Sequence, residues 1–265
     1  THNTIYIKEN MKIFIILVGL LFSLSACSLP NEFTVYSSQI SGTKDTNCRI
    51  LFELYKKQYN AAPIFDIKKG ASGMIAMKEM LHDKKFSVFC SGPSESIYNN
   101  FVYPGNEIDH ALLTMVIVIS VGPTTFYTAP DSKYKTIHDL INSKESITIG
   151  HNAQGTKSVA QAVFGSKTVI WVPFTNAVDS VSSLLKGGLD LYVDSGSLEE
   201  LSNAGKIRSL GHINGTSTVG GPDLAKEFPV AAELPAFVAI TTSINNDPAD
   251  IEELNRRLMP LIHSK

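Results

Sequence analysis

Five short stretches of this chain are built from small polar residues and glycine, and each comes just before a helical pattern. The first, residues 37–43, contributes Ser37, Ser38, Gly42 and Thr43. The second, 91–96, opens on Ser91-Gly92-Pro93 and precedes a helical turn. The third, 151–156, holds Asn152, Gly155 and Thr156; the fourth, 173–176, ends on Thr175-Asn176; the fifth, 194–197, begins with Asp194. The chemistry open to such a set is capture of an anion. A helix N-terminus presents N–H groups with no intrahelical partner, and its dipole favours a negative group by about 0.3–1 kcal/mol. Glycine lets backbone approach a ligand closely, and Ser and Thr hydroxyls add donors without adding charge. Several such loops facing one cleft hold a carboxylate without an arginine. Each loop taken alone is equally an ordinary cap or turn. Repetition at the same topological position carries the anion reading.

Besides Asp194, two bulkier ionisable residues, Glu95 and His151, fall inside these loops. Such groups usually face solvent; if instead they line a pocket, they point to an amide, amine or hydroxyl on the ligand. Ser91, Ser94 and His151 also offer the parts of a nucleophile and its base. No GxSxG elbow is present, so an enzyme is the weaker alternative to a binding protein. No CxxC, HxxxH or HExxH spacing occurs and the seven histidines are scattered, so neither a metal nor a cofactor is expected.

Charged residues make up 18% of the chain and the net charge is −2. With no basic block, the sequence lacks the electrostatic footprint of a nucleic-acid binder. Cys48 and Cys90 have two readings. They could pair in an oxidising compartment, or they are small buried residues in a domain large enough not to need a staple.

The N-terminal region has its own pattern. Residues 1–10 lack an initiator Met and any signal-like feature, so they are set aside as lying upstream of the native start. Residues 11–27 read as a signal peptide: Met11-Lys12, an apolar run over 13–22, then Ser23-Leu24-Ser25-Ala26-Cys27. The run is too short to span a membrane, which takes about 20 apolar residues. The Leu-Ser-Ala-Cys ending resembles the lipobox of bacterial lipoproteins, which implies that Cys27 carries lipid and that the rest of the chain works outside the cytoplasm.

The elements that must position the loops alternate along the rest of the chain. Strand patterns at 33–36, 64–67 and 86–90 are separated by helical ones at 45–59 and 72–81. The first helix is expected to bury Ile50, Leu51, Leu54 and Tyr55. This β-α-β-α-β order predicts a parallel sheet with right-handed crossovers. The apolar run 111–121 reads as a buried strand, and 125–128 as another. A second alternation follows: helices at 134–142, 157–164, 177–186 and 198–203, with strands at 147–149, 169–172, 191–193 and 207–210. A loop-rich stretch over 214–222, a strand at 237–241 and a helix at 248–262 close the chain. The expected organisation is α/β with two lobes, 28–121 plus 211–265 and 122–210, and a cleft between them where strand carboxyl ends face each other.

Several motifs follow one another along the chain. They are Ser41-Gly42-Thr43-Lys44-Asp45-Thr46-Asn47-Cys48-Arg49, Gly70-Ala71-Ser72-Gly73 and Pro130-Asp131-Ser132-Lys133-Tyr134-Lys135-Thr136. Val172-Pro173-Phe174, Leu184-Leu185-Lys186-Gly187-Gly188-Leu189-Asp190 with Asp194, and Ala204-Gly205-Lys206-Ile207-Arg208-Ser209-Leu210 follow. Their order and spacing resemble the solute receptors of tripartite tricarboxylate transporters, often called Bug or TctC-type proteins. That resemblance implies a type II periplasmic-binding-protein fold, two Rossmann-like lobes joined by two crossover strands. It implies a periplasmic receptor that is not an enzyme and passes a small organic acid to membrane permease subunits; with the lipobox at Cys27, that receptor is expected to be lipid-anchored. A tethered sensor that has lost transport is an alternative of the same shape. By resemblance, Gly42, Thr43, Ser91, Gly155, Thr156, Thr175 and Asn176 donate to the ligand. Asp194 accepts from it or orients a water, and Ser37, Ser38 and Asn152 complete the set. Asp45 caps or orients the first loop. The first and third loops depart from the family's usual Pro-Phe-x-x-Gly-Gly and Ser-x-Gly-x-Gly-Ser, so ligand identity does not carry over. The family usually has more helix after Leu261, which implies that the sequence stops short of a natural C-terminus.

Overall fold

A computed structural model describes residues 29–262 apart from residues 41, 103, 106, 196–197 and 216–219. The signal segment and Cys27 lie outside the described residues.

Strand β1 (Glu32–Ser37) alternates side chains to its two faces, with Val35 packing below and Tyr36 above. It leads through the first polar loop into α1 (Thr43–Tyr59), which ends at Asn60 in the left-handed conformation. The helix buries Cys48, Leu51, Phe52 and Tyr55, while Ile50 and Leu54 are exposed. The sequence offers two apolar stripes here. The one that wins places Phe52 and Tyr55 edge-on to Phe33 at ring-centroid distances of 5.9 Å, an aromatic packing the aliphatic stripe cannot match. Strand β2 (Ala62–Ile67), α2 (Met74–His82) and β3 (Ser87–Ser91) follow. Both β2 and β3 run parallel to β1.

After a π-helical turn at Ser94–Tyr98 and α3 (Asn99–Val102), the chain enters β4 (Leu113–Val121). This strand starts two residues later than its apolar run, because Asp109 caps a 3-10 turn at His110–Leu112. Nor is it buried throughout. It forms an edge of the first sheet, with Met115, Val118 and Val121 exposed. Gly122-Pro123 then carries the chain into β5 (Thr124–Thr128), in the second sheet.

The second sheet is made by β5, β6 (Ile147–His151), β7 (Val169–Pro173), β8 (Leu191–Asp194) and β9 (Arg208–Ile213). Helices α4 (Ile137–Ile141), α5 (Gln154–Phe164), α6 (Ala177–Leu185) and α7 (Glu199–Asn203) lie between its strands. Helix α4 is shorter than its pattern because Thr136 and Asp139 form a reciprocal capping box at its start. Leu224 and Ala231, the latter in α8 (Pro229–Ala232), pack into this second core. The chain therefore returns to the first sheet at β10 (Phe237–Ser243), later than the region near 210 where the pattern places the return. Helix α9 (Pro248–Ile262) covers the first core with Leu254, Leu258 and Leu261.

The two sheets share one plan: β2-β1-β3-β10-β4 and β7-β6-β8-β5-β9. In each, four strands run one way and a single strand runs against them: β10 is antiparallel to its neighbours β3 and β4, and β5 to β8 and β9. Each sheet carries apolar clusters on both faces, the mark of a doubly wound layer. The two crossings run side by side, tied where Gly122 N donates to Ala236 O at 3.3 Å. Cys48 and Cys90 are free thiols in the first core. Burial, then the hydrogen bond to Cys48, pushes the Cys90 thiol well above its ordinary range. No helix among the described residues is long and apolar enough to cross a membrane, and no described group of three or more His, Cys, Asp or Glu could hold a metal ion.

Candidate ligand-binding site

In a doubly wound sheet the strand order reverses at one point, and the loops leaving the two strands there part to open a crevice. In the first sheet that point lies between β1 and β3, and in the second between β6 and β8. The loops after these four strands face one cavity of about 290 Å3. Gly42 and Thr43 line it after β1, Gly92, Pro93, Ser94 and Glu95 after β3, Asn152, Ala153, Gly155 and Thr156 after β6, and Ser195 after β8. The crossings make its back wall, with Gly122, Pro123 and Thr124 on one side and residues 235–238 on the other.

Two helices aim their N-termini at this cavity, and neither has a side-chain cap. Helix α1 begins at Gly42, whose φ of 90° needs the freedom of glycine, and α5 begins after Ala153. Thr156 Oγ1 is turned back to Ala153 O at 3.0 Å. Helix α6 differs: Asn176 Oδ1 accepts from Asp179 N at 2.9 Å and closes its own terminus.

Of the residues singled out from sequence, Gly42, Thr43, Asn152, Gly155 and Thr156 line the cavity. The other six stand outside its lining. Ser37 is buried and donates to Gln39 O at 3.3 Å. Ser91 is buried and donates to Ala239 O at 3.3 Å. Thr175 and Asn176 follow β7, an edge strand away from the reversal point, and Asn176 is occupied in capping. Ser38 and Asp194 stand one layer back. Asp194 Oδ1 accepts from Asn152 Nδ2 at 3.3 Å and from Tyr192 OH at 3.2 Å. Asp45 is buried and pairs with Arg49 at 2.9 Å.

The site also contains an ion pair that sequence reading missed in part. Lys44 and Glu95 both line the cavity and their side chains meet directly. Ser38 Oγ takes a hydrogen bond from Lys44 Nζ at 2.9 Å and gives one to Glu95 Oε1 at 3.2 Å. Glu95 Oε2 accepts from Gly92 N at 3.0 Å. Glu95 is 2% exposed, so it lines the pocket rather than facing bulk solvent. The signal for Lys44 was legible: a cation in the first turn of a helix opposes the dipole and needs a nearby anion. His151 takes neither of its two expected places. It is buried outside the cavity lining, its ring edge-on to Trp171 at 6.2 Å and Nδ1 3.3 Å from Ala153 O. Burial, then the Lys157 charge, pushes it down to about 4. Ser94 Oγ accepts from Gly155 N at 3.0 Å, so Ser91, Ser94 and His151 are each engaged elsewhere and form no nucleophile–base pair.

Among the described residues, two hydrogen bonds join the lobes across the cavity. Gly155 N donates to Ser94 Oγ as above, and Thr43 Oγ1 donates to Ser195 O at 3.3 Å.

Neither a protein-family profile nor the sequence of a curated protein matches the chain. Solved structures do match its fold. The R. palustris protein Rpa4515, with adipate, is 19% identical, with a TM-score of 0.76 over 89% of this chain and 85% of that one. MatC from Rhodopseudomonas palustris, with bound malate, is 13% identical, with a TM-score of 0.76 over 89% and 86%. The periplasmic binding protein BugD is 13% identical, with a TM-score of 0.70 over 86% and 82%. At these identities the likeness speaks for architecture: this chain has the two-lobed α/β fold of the periplasmic solute-binding proteins.

Proposed function

We propose that the chain is an extracytoplasmic solute receptor, lipid-tethered through Cys27, that captures a small organic carboxylate for a tripartite tricarboxylate-type transporter. One observation carries the reading: two helix N-termini without side-chain caps, from opposite lobes, converge on one cavity at the two points of strand reversal. Their dipoles and the first-turn backbone they turn toward the cavity suit a carboxylate. The adipate and malate in the similarly folded proteins support an organic acid as the ligand class. The BugD likeness, together with the motif order in the sequence, supports the transporter type. The two crossings form the hinge, and closure brings Thr43 and Gly155 onto the ligand from opposite sides.

Differential scanning fluorimetry against a panel of carboxylates tests the reading. A true ligand at 100 times its Kd adds about 2.7 kcal/mol and raises Tm by several degrees. A folded sample that no carboxylate stabilises argues against it. Mass spectrometry of the mature N-terminus tests the tether: lipid on Cys27 is expected, and an unmodified peptide reading through residue 27 removes that part.

A further inference from the structure

We propose that the protein rests on the bilayer that holds its own anchor, with the base of the first lobe against the lipid headgroups and the second lobe farthest from them. This goes beyond the receptor reading, and it rests on the part of that reading that places a lipid on Cys27. Such a tether is short. Two residues of chain, from Cys27 to Leu29, reach at most about 7 Å. Leu29 is already part of the fold: it is buried in the first core. Two residues further on, Asn31 O accepts from Ala62 N at 2.7 Å. A lipid on Cys27 therefore holds the start of β1 close to the membrane surface, with no linker on which the body could swing away.

The strand order says which face lies down. β1, β2, β3 and β4 all begin at this end of the sheet, and β10 ends there, since Ser243 pairs with Leu113 and Thr242 with Val88. Around the anchor point the surface suits headgroups. Lys56 and Lys57 stand in the last turn of α1, Lys84 and Lys85 in the link to β3, and all four are exposed. Against them stand Glu32 and Asp83, and the Asp83 carboxylate is engaged by Tyr36 OH at 3.1 Å and Lys85 N at 3.0 Å. Under β4 and β10, Leu112 and Ile244 are exposed, while Asp109 and Asp247 each accept from a backbone N–H at 2.9 Å. Long-stemmed lysines beside exposed apolar groups suit a surface that lies on a membrane. The cavity is at the opposite, carboxyl ends of β1 and β3. The six residues of β1 set it about 20 Å above the base. Opening at the two crossings then lifts the second lobe while the first stays on the bilayer.

Amine acylation, read lysine by lysine by mass spectrometry, tests the pose. The full chain, made with its signal segment, is reconstituted on vesicles of phosphatidylethanolamine with about one-third phosphatidylglycerol. It is compared with a variant carrying about 20 Gly and Ser residues after Ser28, which lets the body drift about 25 Å from its anchor. Lys56, Lys57, Lys84 and Lys85 should react about fivefold or more slowly in the native chain than in the extended one, their stems being held among headgroups. Lys186 and Lys206 in the second lobe should react equally in both. Equal rates at the base, with lipid found on Cys27, overturn the pose and leave the receptor reading standing. Slowing at Lys186 or Lys206 instead puts the other lobe down and overturns it as well. An unmodified Cys27 removes tether and pose together, while carboxylate binding still decides the receptor reading. Slowing that is unchanged on vesicles without phosphatidylglycerol overturns the part given to the lysines.

Discussion

At the scale of single residues, the site is held by positions that tolerate little change. Gly73 has a φ of 97°, and a Cβ placed there would lie 2.5 Å from Glu95 Cγ. Gly73→Ala should cost at least about 2 kcal/mol, from a left-handed backbone and a side chain pushed off its ion pair; the urea midpoint measures it. His151 gives a pH signature. The folded protein holds it neutral down to about 4, whereas the ordinary value is 6.5. Between those values the unfolded chain binds a proton that the folded chain lacks, so stability falls as pH drops from about 6.5 to about 4. His151→Gln should flatten that part of the stability–pH curve relative to the native chain. Cys48 and Cys90 should resist a thiol reagent in the native state and react together on unfolding, since both are buried and burial raises the Cys90 thiol. What sequence could say at this scale was residue type by loop. That Gly42, Thr43, Asn152, Gly155 and Thr156 line the cavity follows from their loops leaving the strands at the two reversal points, while the same small polar types elsewhere only cap or turn the chain. Ser37 and Ser91 misled, since a buried strand-end serine that bonds backbone looks identical in sequence to one that faces a ligand.

At the scale of elements, hydrophobic period gave nearly every strand and helix, and the errors have common causes. Two apolar stripes on α1 could not be ranked without knowing that Phe33 waits on the sheet below. The β4 run looked buried because an edge strand with one face on a core and apolar residues on the other reads like an interior one. Thr175 and Asn176 were chosen because their loop follows a strand. Only the strand order reveals that β7 is an outer strand, and that order is set by long-range pairing invisible to local pattern. Helix α9 was legible throughout. Its Leu258 is fully buried against the first core, so Leu258→Ala should lower unfolding free energy by about 2–5 kcal/mol with the denaturant slope unchanged.

At the scale of the whole molecule, the lobes are joined by two crossings and, among the described residues, touch through two hydrogen bonds over the cavity. Removing both, with Ser94→Ala and Thr43→Val together, subtracts about 2 kcal/mol from the closed arrangement. Small-angle scattering of the ligand-free double variant should show a larger radius of gyration than the native chain. The order of strands has a further consequence, for how the protein comes into being. Every strand of the second sheet comes from residues 124–213, so that half can assemble as soon as it is synthesised. The first sheet cannot: β10 sits between β3 and β4 and pairs with both, yet it is synthesised only after every strand of the second sheet. Until Ser243 has emerged, the first sheet lacks the strand that joins β3 to β4, and its closure waits on a segment more than a hundred residues downstream of β4.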